Sequence, residues 1–192
     1  MDSKKAGGLI RTLRLEKNMT QMELAQALHI SDKTVSKWER GLGCPDISLL
    51  PALSKTLGVP IDKLLSGDLM PNRPDGGNMK KTKFYRCPAC GNVLVSTGGA
   101  EISCCGRPLS PLQAHEADEA HGFTVEPLED ELYIRFNHPM EKEHFISFVA
   151  CVNWDKALLA RLYPEQGNEL RIPFLPGAKI YLCCSEHGLM EG

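Results

Sequence analysis

The chain has 192 residues, 42% of them hydrophobic and only 6% aromatic, with a formal net charge of −2. That length admits one large domain or two or three small ones with mostly aliphatic cores, and the near-neutral balance argues against a protein that coats nucleic acid along its whole length. No apolar run reaches the ~18–20 residues needed to cross a bilayer, and Met1–Gly8 is polar rather than the apolar start of a secretion signal. The expectation is a soluble cytoplasmic protein with no membrane partner. In that reducing compartment its eight cysteines serve as metal ligands or core thiols rather than disulfides. Charge divides unevenly: residues 1–70 hold 10 Lys and Arg against 8 Asp and Glu, and residues 71–192 hold 12 against 16. The two parts therefore suit different partners.

Residues 4–65 read as a run of short helices. Leu9, Leu13, Met19, Leu24, Leu28, Val35, Trp38, Leu49, Leu53 and Leu57 recur at helical intervals, and Thr20, Ser31 and Asp46 are the expected N-caps. Residues 66–83, SGDLMPNRPDGGNMKKTK, read as a mobile linker because prolines and glycines replace packing residues. Short β-like stretches follow at Asn92–Ser96, Phe123–Val125, Leu132–Phe136, Phe145–Val152 and Lys179–Cys183. There is no internal repeat.

Within the helical run, Thr20–Gly41 predicts two helices joined by a short turn at His29–Ile30, the second starting at Ser31 and stopping at Gly41. These residues, with Gln21, Glu23-Leu24-Ala25, Trp38-Glu39-Arg40-Gly41 and Pro45-Asp46, resemble the phage repressor and Cro family, called XRE-type. The resemblance implies a five-helix DNA-binding domain over residues 1–67 that binds a double-stranded operator as a homodimer. Asp32, Lys33, Thr34 and Lys37 would face base edges in the major groove, and Gln21 would donate to a phosphate. Val35 and Trp38 would face the core, and Arg14 and Glu39 would form an internal ion pair that orients the reading helix.

Cys87-Pro88-Ala89-Cys90-Gly91 is a metal knuckle whose two thiolates can chelate one ion. Cys104-Cys105-Gly106 supplies a second pair. Neighbours in a regular strand point to opposite faces, so both thiols reach one ion only if the chain bends there. Four thiolates take iron or zinc alike. Phe84–Leu109 resembles desulforedoxin, the small iron domain at the front of desulfoferrodoxins, which implies an Fe(Cys)4 centre over residues 84–113.

Asn137-His138-Pro139-Met140 through His144-Phe145, with Cys183-Cys184-Ser185-Glu186-His187-Gly188, resembles the superoxide reductase domain of desulfoferrodoxin and neelaredoxin. The resemblance implies an immunoglobulin-like β-sandwich over residues 114–192 that holds iron with His138, His144, Cys184, His187 and a fourth histidine. His121, preceded by Glu119-Ala120, fits that place better than His115. Glu119 becomes the candidate catalytic residue, and superoxide or another small oxidant the candidate substrate. The family's lysine between glutamate and histidine is Ala120 here, which removes a charge useful for steering an anion. Cys44, Cys151 and Cys183 fall outside both patterns and read as loop or core thiols. The expected molecule is thus multidomain: a helix-turn-helix domain over residues 1–67, a linker over 68–83, a metal-knuckle β domain and a β-sandwich. It reads as a DNA-binding regulator responsive to iron or redox state, with a two-iron superoxide reductase carrying a DNA-binding domain as the alternative.

Overall fold

The structure is a computed structural model and describes residues 2–192. It divides into two compact units, the first ending at Pro71 and the second running from Asn72 to Gly192.

The first unit is helical: α1 Ser3–Glu16, α2 Gln21–Ala27, α3 Asp32–Glu39, α4 Leu50–Leu57 and α5 Ile61–Ser66. The first three helices begin where a side chain can take their free amides. Asp2 accepts from Lys4 and Lys5, Thr20 and Glu23 form a reciprocal capping box, and Ser31 accepts from Thr34. Asp46 also accepts a backbone amide, but it opens a 3-10 turn at Ile47–Leu49 that only then runs into α4. Leu9, Leu13, Leu24, Leu28, Val35, Trp38, Leu53 and Leu57 share one core, each such burial contributing about 1.5–3 kcal/mol. α1 lies so close to α3 that a Cβ on Gly7 would sit 1.9 Å from the Trp38 carbonyl oxygen.

The second unit opens with two hairpins. β1 (Lys83–Arg86) pairs with β2 (Val93–Ser96), and β3 (Ile102–Cys104) pairs with β4 (Arg107–Leu109). The chain continues through β5 (Ala114–Glu116), β6 (Phe123–Leu128), β7 (Glu131–Phe136), β8 (Ile146–Val152), β9 (Ala157–Arg161), β10 (Glu169–Pro173), β11 (Lys179–Cys184) and β12 (Gly188–Glu191). These form a sandwich of a three-stranded sheet, order β10-β7-β6, and a five-stranded sheet, order β5-β12-β11-β8-β9. β5 runs parallel to β12; the other pairings are antiparallel. β1, β3, β4, β5, β9, β10 and β12 lie outside the stretches expected from the sequence; each is only three to five residues long, too short for a pattern to stand out.

Strand β8 is buried along its whole length because both faces of its sheet are covered. Ile146, Val149 and Cys151 join Leu132, Ile134 and Phe136 of β7 between the sheets. Phe148, Ala150 and Val152 form a second core with Phe84 of β1, Cys183 and Leu189. A register shift between Cys183 and Cys184 leaves Ser147 as the extra residue of a β-bulge, and its hydroxyl donates to the Cys183 carbonyl. The knuckle hairpins and the sandwich thus lie in one compact unit with a shared core. The same unit holds residues 72–83, most of the expected linker. Asn72 donates to the Gly99 carbonyl, the Met79 amide donates to the Trp154 carbonyl at 2.9 Å, and Met79 packs on the second core. Among the described residues no helix is long and apolar enough to cross a membrane.

Candidate metal centres and nucleic-acid interface

In the helical unit, α1 and α3 are locked by a buried ion pair. Arg14 Nε and Nη2 donate to the two Glu39 carboxylate oxygens at 2.6 and 3.0 Å, and Nη1 donates to the Met19 carbonyl. Burial works against the Glu39 carboxylate, but hydrogen bonds from Arg14 and Gln21 outweigh it and hold the carboxyl below its usual range. Val35 and Trp38 are buried beneath α3, whereas Asp32, Lys33 and Lys37 are exposed and Thr34 is half-buried, its hydroxyl 2.9 Å from that of Ser31. Gln21 sits at the start of α2 and donates to Glu39 at 2.8 Å, a link the sequence reading did not anticipate. Its second amide hydrogen remains available.

The second unit gathers two donor clusters. Cys87, Cys90, Cys104 and Cys105 bring their sulfurs within 4.8 Å of one another. A tetrahedral ion ~2.3 Å from each sulfur spaces the sulfurs about 3.8 Å apart, and Cys90 and Cys104 are 3.6 Å apart, so the four thiols fit one such ion. Cys87 follows β1, and Gly91 beyond the knuckle has φ 67°. Backbone N–H groups of Cys90 and then Ala89 draw the Cys87 thiol down to about 7. The Cys105 thiol is pushed up to about 12 by Cys90, Cys87 and Cys104 crowding it. Cys104 and Cys105 both face the cluster because the chain turns back on itself there. Cys105 and Gly106 have φ 51° and 72° between paired residues Cys104 and Arg107, the two left-handed residues of a tight hairpin turn.

The other cluster lies at one end of the sandwich. His121 closes a 3-10 turn at Glu119–His121, His138 follows β7, His144 precedes β8, Cys184 ends β11 and His187 precedes β12. His121 Nε2 is 3.1 Å from His187 Nδ1, and His138 Nε2 is 3.1 Å from His144 Nε2. Cys184 Sγ lies 3.5 Å from both His138 Nε2 and His187 Nδ1. Four imidazoles and one thiol pointing at a common centre are a donor set for a transition metal. His121, His138 and Cys184 are buried, His144 is half-buried and His187 is exposed, so the cluster opens to solvent on one side. Burial, then repulsion from His144, His121 and His187, pushes His138 down to about 4, leaving a neutral imidazole at ordinary pH. Asp118 Oδ1 is 2.6 Å from His121 Nδ1 and directs the other ring nitrogen inward. His115 is exposed on β5 and stands outside both clusters, while Glu119 and Ala120 are exposed beside His121. Cys44 is an exposed loop thiol, and Cys151 and Cys183 are buried.

A desulfoferrodoxin from Syntrophotalea carbinolica is 34% identical over 119 residues, covering 57% of this chain and 94% of that protein. Through this second unit the chain belongs to the desulfoferrodoxin family. The fold agrees: the superoxide reductase from Treponema pallidum superimposes with a TM-score of 0.51 at 20% identity, over 58% of this chain and 97% of that one. The desulfoferrodoxin module is joined to an XRE-type helix-turn-helix domain. The helix-turn-helix family matches residues 10–64. The HTH-type transcriptional activator BcrR from Enterococcus faecalis is 39% identical over 79 residues, covering 40% of this chain and 39% of that protein.

Three supporting residues in the module escaped the sequence reading. Asp118 caps the turn that carries His121, and Asp three residues before a ligand histidine was the available signal. Ser185 and Arg86 carried none, because their roles depend on contacts across the fold.

Proposed function

We propose that this chain is a cytoplasmic, sequence-specific transcription regulator. It binds a double-stranded operator as a homodimer, with an affinity set by the iron or redox state of its His/Cys centre. One observation carries the reading: a single chain holds a helix-turn-helix head whose reading helix is anchored by Arg14–Glu39 and a cluster of His121, His144, Cys184 and His187, with His138 against His144 and Cys184, that has a solvent-facing side. Asp32, Lys33, Thr34 and Lys37 meet base edges from α3. Gln21, one amide hydrogen held by Glu39, directs the other at a phosphate.

Neutral imidazoles with one thiolate suit ferrous iron, and the four-thiol cluster suits iron or zinc. Iron held there with Cys184 as its thiolate ligand would supply an electron to a small oxidant such as superoxide. The protein's own residues prepare the place: His121, His138, His144, Cys184 and His187 would be the ligands, Asp118 holds the His121 ring, and Glu119, exposed on the turn that carries His121, is the proposed proton carrier. The open side at His187 also favours the alternative reading, an iron superoxide reductase with an attached DNA-binding domain. Ala120 weighs against fast turnover, since no positive side chain stands at that position to draw in an anion.

The deciding experiment measures operator affinity for apo, ferrous and ferric protein at fixed salt, and superoxide consumption in the same preparations and in Ala120→Lys. The expected result is a coupling of about 1–3 kcal/mol, 5–150-fold in affinity, with slow superoxide turnover. Equal affinity in all three states overturns the sensor reading, and rapid turnover by the unaltered chain puts the reductase in its place.

A further inference from the structure

The two donor clusters come from different segments of sequence, and the sequence alone predicts that each can be emptied without touching the other. The fold joins them. Arg86 closes β1 and immediately precedes Cys87. Its Nη1 donates at 3.1 Å to the carbonyl of Ser185, the residue that immediately follows Cys184. Its Nε is buried with no hydrogen-bond partner, so the Ser185 carbonyl is what orients the guanidinium. An arginine used this way holds its partner through a planar, fixed set of donors.

Ser185 in turn binds both flanks of His144. Its backbone N–H donates to the Phe145 carbonyl at 2.8 Å. Its hydroxyl donates to the Glu143 carbonyl at 2.8 Å and accepts from the Phe145 amide at 3.1 Å. One residue therefore holds the Cys184–His187 turn against the His144 segment, and Arg86 ties that residue to the backbone that carries Cys87. A second strap lies alongside: Arg161 of β9 donates at 3.1 Å to the carbonyl of Gly91, next to Cys90. Phe84, two residues before Arg86, packs with its ring centroid 5.6 Å from those of Phe148 and Tyr181, so β1 cannot shift without disturbing the strands that position Cys184.

We infer that Arg86 is a positioning residue that couples the two centres, so that the state of the four-cysteine cluster sets the placement of the Cys184 thiolate in the His/Cys cluster. This rests on the reading of both clusters as metal sites. Energetic coupling of this kind requires a contiguous physical connection and appears as non-additivity between substitutions.

The test uses the full chain loaded with iron under anaerobic conditions. It compares the unaltered protein, Cys105→Ser, Arg86→Gln, Arg86→Lys and the double variant Cys105→Ser/Arg86→Gln. Metal content is measured per cluster, with the thiolate-to-iron absorption band and midpoint potential of the His/Cys centre. The expected result is that Cys105→Ser shifts band and potential in the Arg86 protein but adds nothing once Arg86→Gln is present, with Arg86→Lys restoring part of the response. Unchanged band and potential in Cys105→Ser, or additive shifts in the double variant, overturn the coupling while leaving both metal sites standing. A His/Cys cluster that takes up no iron in the unaltered chain overturns the metal reading itself, and the coupling with it.

Discussion

The second unit contains two Cys-Cys dipeptides that serve their clusters in opposite ways. At Cys104-Cys105 both thiols face one centre, because Cys105 and Gly106 adopt positive φ and reverse the chain. For Cys105 that conformation costs roughly 1–2 kcal/mol, a strain the turn tolerates to bring two neighbours to one ion. At Cys183-Cys184 the backbone stays in strand β11, and the thiols part. Cys184 joins the inter-sheet side and the histidines, while Cys183 is sealed in the second core with Phe84 and Phe148. Identical dipeptides thus supply two ligands in a turn and one in a strand, and backbone dihedrals make the difference.

The sharpest way to break this comparison is at the strand. Cys184→Ser is expected to remove metal and the thiolate absorption band from the His/Cys centre, whereas Cys183→Ser retains both. Replacing the Cys183 thiol, which reaches the Cys184 carbonyl at 3.7 Å, by a more polar hydroxyl inside the second core is expected to cost about 1–3 kcal/mol, read from the denaturant midpoint. Equal metal loss in the two variants would mean that the strand does not separate the thiols.

At the turn, Cys104→Ser and Cys105→Ser are both expected to weaken metal binding in chelator competition. Each loss should exceed the roughly 10–100-fold of an outer-sphere change. With Cys87 near 7 and Cys105 near 12, metal entry must displace protons, so affinity at this cluster rises with pH. A pH-independent constant would show that the thiols are not the ligands.

A smaller effect sharpens the contrast in support. His121 has Asp118 behind it at 2.6 Å, whereas Cys104 has only the Asn92 amide at 3.8 Å. Asp118→Ala is expected to cost ~10–100-fold in affinity at the His/Cys centre, and Asn92→Ala to cost less at the four-cysteine centre. The smallest expected change is Gly106→Ala, about 1 kcal/mol of stability from a side chain placed at φ 72°, visible as a lowered unfolding midpoint with metal bound.

Much of this was legible in the residues themselves. Helical periodicity and the capping residues Thr20 and Ser31 located α2 and α3, because caps and apolar spacing are local properties of the chain. The Cys-x-x-Cys knuckle and the need for a bend at Cys104-Cys105 followed from thiolate chemistry and the two-residue strand repeat. Ligand residues far apart in sequence, such as His121 and His187, came from resemblance to a family rather than from spacing, since nothing local relates them. Tertiary structure alone decided the rest. It set the face of β11 on which Cys184 lies, attached the chain from Asn72 to the second unit, and brought Arg86 against Ser185. These depend on sheet register, a bulge at Ser147 and packing between residues as much as 99 positions apart, and a one-residue change of register would reverse the faces.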